Sequence, residues 1–155
     1  PPARQDEQRV IDSRNAFIID SMLREVAHTG TGAQAGQRLG RPDVAGKTGT
    51  TSDAIDGWFA GYASDVVAVA WMGFDQPKSL GSREFGATLA LPIWIDYMRQ
   101  ALAAKPVAQR PAPAGVSFVD DDWLYDEFNS DSGVKELDVE SLPSLVRDFF
   151  KRLGI

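Results

Sequence analysis

Residues 44–51, Val-Ala-Gly-Lys-Thr-Gly-Thr-Thr, bring one ammonium, three hydroxyls and two glycines into a single short run. Lys47 supplies a positive field and only hydrogen-bond donors, while Thr48, Thr50 and Thr51 offer hydroxyls that both donate and accept. Gly49 removes a Cβ that would hold a ligand away from the backbone. Such a run can cradle a phosphate, line a reaction site of another kind, or be a strand that happens to carry a lysine.

The phosphate reading fails on spacing and on context. A Walker loop needs a glycine five positions before Gly46-Lys47, and that position is Arg41, with Gly40 one residue too early. It also needs a helix starting at the lysine, so that N–H groups and the helix dipole face the anion. Here Gly49 follows at once and the next ordered pattern is that of a strand.

Composition removes other chemistries. The chain has 155 residues and no cysteine, which excludes disulfides, thiol catalysis and cysteine-bound metals. Its one histidine, His28, excludes a Ser-His-Asp triad or a His-rich metal site within the chain, and no metal is expected. His28 itself reads as an ordinary helix-end interaction. The net charge of −6 comes wholly from residues 116–155, which hold 10 acids against 4 bases, so nucleic-acid binding is not expected. Asp53 and Asp56 share one loop with nothing opposite to grip a sugar; they read as turn organisers, not as a glycosidase pair. No run of 18 apolar residues is present. A membrane association is therefore expected only through an anchor upstream of residue 1.

The elements that must position the Lys-Thr-Gly-Thr run follow from periodicity. Asp12 or Ser13 can cap a helix through Arg14–Gly30, whose apolar residues Phe17, Ile18, Ile19, Met22, Leu23, Val26 and Ala27 exceed one narrow stripe and predict packing on two sides. A flexible, glycine-rich loop is expected over 30–42. Residues 44–50, 57–63 and 66–74 then read as a three-stranded antiparallel meander, with Ser64-Asp65 as a compact turn. Both faces of the last strand are apolar, which predicts a central strand covered above and below. Trp71 and Trp94 are expected in the core, and Trp58, Phe59 and Tyr62 in packing. A long loop leads to a helix over 91–105, with Pro92 in its first turn and Leu91, Ile95, Met98 and Leu102 on one side. Residues 106–115 have the composition of a linker. Beyond them, 116–138 is acidic with scattered aromatics and no clean period. Residues 141–154 read as an amphipathic helix, better suited to docking on protein than to lying on a membrane.

Lys-Thr-Gly is a signature of serine penicillin-binding proteins and related β-lactamases. The surrounding blocks are more specific. The segments "FIIDSMLREVAHTGTG", "DVAGKTGTTSDAIDGWFAGY", "VAWMGFDQPKSLG" and "GATLALPIWIDYM", in that order, resemble the C-terminal half of the transpeptidase domain of a class A, bifunctional penicillin-binding protein. The resemblance covers about residues 10–115. It implies an α+β fold, an antiparallel sheet covered by helices as in the serine β-lactamases and penicillin-binding proteins, present only as a partial domain. The expected division is 1–115 as transpeptidase part and 116–155 as an acidic tail.

Members of that family use a serine to attack the D-Ala–D-Ala end of a peptidoglycan stem peptide, and β-lactams acylate the same serine. Three motifs build the site: Ser-x-x-Lys, Ser-x-Asn and Lys-Thr-Gly. Only the third stands here in its proper place. Ser13-Arg14-Asn15 precedes the helix that should follow the second motif, and Ser132-Gly-Val-Lys135 lies downstream of the third in an acidic turn. The nucleophile is therefore expected on an upstream part of the same protein, together with the Ser-x-Asn motif. On this resemblance Lys47 and Thr50 are the catalytic candidates, and Thr48, Gly49, Thr50 and Thr51 the substrate-binding ones. Lys47 gives a positive field and holds a proton-relay serine. Thr48 and Thr50 bind the terminal carboxylate, and the Thr50 N–H forms half of an oxyanion hole. Transpeptidation needs no cofactor. The expected partners are stem peptides and β-lactams, on the periplasmic side of the bacterial inner membrane. Two alternatives remain: a non-catalytic scaffold that keeps half the fold, and a β-lactamase or penicillin-sensing receptor.

Overall fold

The computed structural model describes residues 10–128. Two compact units divide the chain, one up to Pro113 and one from Ala114. The expected helix over 141–154 and the Ser132/Lys135 pair lie outside the described residues.

Helix α1 (Ser13–His28) is capped by Asp12, whose carboxylate accepts the Arg14 N–H at 2.8 Å. It buries Phe17, Asp20 and Ala27, whereas Ile19 and Met22 are each 55% exposed. Only one of its two apolar sides is covered among the described residues. The expected flexible loop after it contains a second helix, α2 (Ala33–Leu39), closed by Gly40 at φ 63°. Six of its seven residues are good helix formers, and that outweighs Gly36 inside it. Gly36 sits directly under the His28 ring, leaving no room for a Cβ.

The meander forms as expected. Strands β1 (Ala45–Thr50), β2 (Gly57–Ala63) and β3 (Val66–Met72) pair antiparallel in the order β1-β2-β3, with Lys47 opposite Ala60 and Ala60 opposite Val69. Helix α3 (Ala90–Ala101) covers one face of this sheet. Leu91, Trp94, Ile95 and Met98 join Phe59 and Ala63 in the core, with Ala68 and Ala70 against it. Each large side chain buried this way contributes about 1.5–3 kcal/mol. Trp94 meets Phe59 edge-on at 4.8 Å between centroids and donates its indole N–H to the Ala68 carbonyl at 3.0 Å. Gly61 leaves room for both rings: a Cβ there would lie 2.8 Å from Phe59 and 2.9 Å from Trp94.

The other face of the sheet differs from expectation. Among the described residues β3 is an edge strand, and Val67, Val69 and Trp71 stand 75%, 60% and 45% exposed. The Trp71 indole donates to Asp56 at 2.8 Å and tilts against Trp58 at 5.9 Å, so it is ordered without being buried.

Residues 106–113 are not a free linker but a strap on the first unit. Buried Asp43 accepts the backbone N–H groups of Ala108 and Ser64 at 2.8 and 3.0 Å and is gripped by Arg41 through both oxygens. Arg41 donates as well to the carbonyls of Lys105 and Pro106. Arg110 pairs with Asp20 at 3.4 Å and lies over the Tyr62 ring.

In the second unit the acidic segment is a hairpin rather than a patternless stretch. β4 (Val116–Val119) pairs with β5 (Asp122–Tyr125) through Asp120-Asp121, both at positive φ. Phe118 and Trp123 face each other across it at 5.1 Å. Among the described residues no helix is long and apolar enough to cross a membrane.

Candidate active site

β1 sits at one edge of the sheet, with β2 on one side and no strand on the other among the described residues. Alternation along it separates its side chains. By register, Lys47 and Gly49 share a face with Trp58, Ala60, Val69 and Trp71; Thr48 and Thr50 share the other with Phe59 and Gly57. Lys47 is thus exposed on the uncovered apolar face, while the two threonines sit towards the covered one.

Lys47 turns its ammonium back along the strand, donating to the Thr48 carbonyl at 2.9 Å and to Thr48 Oγ1 at 3.2 Å. Thr48 Oγ1 is also 2.9 Å from Thr31 Oγ1, in the short connection between α1 and α2. At the end of the strand Thr50 Oγ1 accepts the backbone N–H of Gly86 at 3.1 Å. That hydroxyl keeps its own proton to donate elsewhere. Gly86 reaches it by lying flat against the ladder, where a Cβ would strike the carbonyl oxygens of Trp58 and Gly49. Trp58 packs in turn beside Gly49, 3.3 Å from where a Cβ would stand.

Thr51 is engaged differently from its three predecessors. Its hydroxyl accepts the Asp56 N–H at 2.8 Å and its own N–H donates to the Asp56 carbonyl at 3.2 Å, closing the turn between β1 and β2. Asp53 and Ala54 occupy that turn at positive φ, and Asp56 holds Trp71. The two aspartates organise the connection.

The structure therefore gathers Lys47, Thr48 and Thr31 at one point and Thr50 with Gly86 at another, a short distance along one edge strand. Two surface cavities, about 450 and 380 Å³, flank the strap and include none of these residues. One strand edge forms a wall, and a wall alone encloses no volume. Sequence reasoning passed over Thr31 and Gly86. Their only signals are the two glycines flanking Thr31 in "HTGTG" and Gly86 itself in "REFGAT", which read equally well as loop punctuation.

Comparison with known proteins places the chain in a family. The family model described as "Penicillin binding protein transpeptidase domain" matches residues 2–98. Penicillin-binding protein 1A of Pseudomonas aeruginosa is 55% identical over 109 residues, which cover 70% of this chain and 13% of that protein. Penicillin-binding protein 1A of Neisseria gonorrhoeae is 46% identical over 114 residues, 74% of this chain and 14% of the relative. The crystal structure of penicillin-binding protein 1A from Haemophilus influenzae superposes with a TM-score of 0.67 at 36% identity, over 70% of this chain and 18% of that one. The chain thus spans roughly one seventh of the curated relatives' length. With its four sequence blocks, its helix-covered antiparallel meander and its edge-strand Lys-Thr-Gly-Thr, it belongs to the penicillin-binding protein transpeptidase-domain family.

Proposed function

We propose that this chain forms the Lys-Thr-Gly wall of a peptidoglycan D,D-transpeptidase site, and that an upstream part of the same protein supplies the serine nucleophile. The observation that carries this reading is the position of Lys47. Its ammonium stands on the uncovered apolar face of an edge strand, so any segment that buries Trp58, Val69 and Trp71 brings its own groups up to Lys47. Relatives several times longer supply the precedent for such a segment.

In this account an extended stem peptide lies along the outer edge of β1, adding as another strand through backbone hydrogen bonds. The serine Oγ attacks the carbonyl carbon of the penultimate D-alanine. The bond to the terminal D-alanine breaks, and that residue leaves as an amine carrying a proton. The amine of a second stem then displaces the serine and forms the cross-link. A β-lactam acylates the same serine by opening its ring. Lys47 keeps the neighbouring relay group in the right protonation state through its field. The hydroxyls of Thr48 and Thr50 bind the terminal carboxylate, and Gly49 lets the peptide approach closely. The Thr50 N–H serves as one oxyanion donor; such a donor is worth ~3 kcal/mol at the transition state. Thr51 shapes the rim through the turn it closes. No cofactor or metal takes part, and the reaction belongs on the periplasmic side of the inner membrane.

The test is acylation by a labelled penicillin of this chain alone, of the upstream part alone, and of both together. Label on the upstream part only when both are present supports the reading. No label under any condition favours a non-catalytic scaffold, and label on this chain alone places the nucleophile within it.

A further inference from the structure

The loop between α1 and α2 contains two threonines with different employment. Thr29 closes its helix, donating its N–H and its hydroxyl to the Glu25 carbonyl at 2.8 and 3.0 Å. Thr31, two residues on, points its hydroxyl at Thr48 instead, at 2.9 Å. The loop is fixed at both ends. The N–H groups of Gly30 and Gly32 donate to the Val26 carbonyl at 3.2 and 3.1 Å, and that of Ala33 to Gly30 at 3.1 Å. A Cβ at Gly32 would stand 3.2 Å from the Phe59 ring, so the core itself sets the loop's height above β1.

A count of protons gives this pair a function. The Lys47 ammonium can only donate, so Thr48 Oγ1 accepts from it. The two threonine hydroxyls hold two protons, and one is spent in the bond between them. If Thr31 donates, the Thr48 proton is left over; if Thr48 donates, the Thr31 proton is. Either way the pair presents one unspent O–H, polarised by the adjacent ammonium, on an accessible part of the edge strand. That is a donor suited to one carboxylate oxygen.

We propose that Thr31 is a substrate-binding residue: with Thr48 it forms a two-hydroxyl, lysine-charged clamp for the carboxylate that ends the substrate or flanks a β-lactam ring. This rests on the transpeptidase reading above. It predicts a loss in binding specific to carboxylate-bearing ligands.

The experiment uses the full protein with its upstream part and follows acylation against concentration for benzylpenicillin and for benzylpenicillin methyl ester. Thr31→Val removes the hydroxyl at nearly constant shape, and Thr31→Ser keeps it. The expected result for Thr31→Val is a half-saturating benzylpenicillin concentration raised about tenfold or more, with the limiting acylation rate near that of the parent. Thr31→Ser restores most of the loss. With the ester, the parent and Thr31→Val behave alike. An unchanged concentration dependence for Thr31→Val would overturn the proposal, as would an equal loss for acid and ester, which marks a structural role. A parent protein that is not acylated by benzylpenicillin under any condition overturns the transpeptidase reading itself, and the clamp with it.

Discussion

Gly86 donates its backbone N–H to the hydroxyl of Thr50 at 3.1 Å, tying the long loop after β3 to the end of the candidate catalytic strand. The contact is possible because Gly86 has no side chain, since a Cβ there would run into the carbonyl oxygens of Trp58 and Gly49. Backbone atoms in a ladder cannot step aside as a flexible side chain can. Gly86→Ala is therefore expected to destabilise the domain by about 1–3 kcal/mol, the usual cost of forcing atoms into filled space. Thermal unfolding of the full protein measures it; an unchanged midpoint would mean that the loop moves freely off β1.

Asp43 predicts an acid limb in stability. Burial pushes its carboxyl up, but the Arg41 hydrogen bonds, the Ala108 N–H, the Arg41 charge and the Ser64 N–H together hold it below the ordinary 3.8. A carboxyl that binds its proton more weakly when folded stabilises the fold above 3.8, and that contribution disappears as pH falls through the lower folded value. Asp43→Asn should cost about 3 kcal/mol at neutral pH, because it leaves the partly buried Arg41 guanidinium without its charge partner. The same variant should flatten the loss of stability as pH falls below 3.8. Urea unfolding across that range decides it, and parallel acid limbs in parent and variant would contradict the assignment.

Tyr62 gives a signal at the other end of the scale. Burial, the hydrogen bond to Asp20 and the Asp20 charge push its hydroxyl from 10.0 up to about 12. Its neutral form is favoured by folding, so this contribution is complete below 10.0 and fades as pH rises towards 12. Absorbance titration should show one tyrosine ionising late, and Tyr62→Phe should remove that step alone.

The exposed face of β2 and β3 predicts what the rest of the protein must do. If an upstream segment covers it, Val69→Asp places an unpaired carboxylate in a buried interface and should lower the stability of the full protein by several kcal/mol. If the face stays in solvent, the change is worth no more than about 0.5 kcal/mol, the figure for an ordinary surface substitution. Comparing the unfolding midpoints of parent and variant separates the two.

Much of this arrangement is legible in the sequence because it is local. The meander follows from alternation interrupted by Ser64-Asp65, and α3 from the spacing of Leu91, Ile95, Met98 and Leu102. The misreadings have non-local causes. α2 was hidden by glycines that mean loop in isolation but here allow a helix to pass under His28. β3 reads as doubly buried because its sequence is suited to neighbours that these residues do not supply. The hairpin at 116–125 turns on two aspartates at positive φ, where Asn-Gly is the recognisable signal. The strap reads as a linker because its anchors, Asp43 and Asp20, are far away in sequence. At the candidate site, Lys47 to Thr51 are singled out by their residue types and by the family resemblance. Thr31 and Gly86 could not be, since only the folded chain brings them to β1.

The most direct measurement is penicillin acylation of the full protein carrying Lys47→Ala, alongside a thermal melt to show that it is folded. Among the described residues Lys47 bonds only to its neighbour Thr48, so its removal should leave one cooperative melting transition. The acylation rate should fall by about a hundredfold or more, as for other groups that act on the charge of a transition state. A folded Lys47→Ala protein that is acylated as fast as the parent would contradict the account.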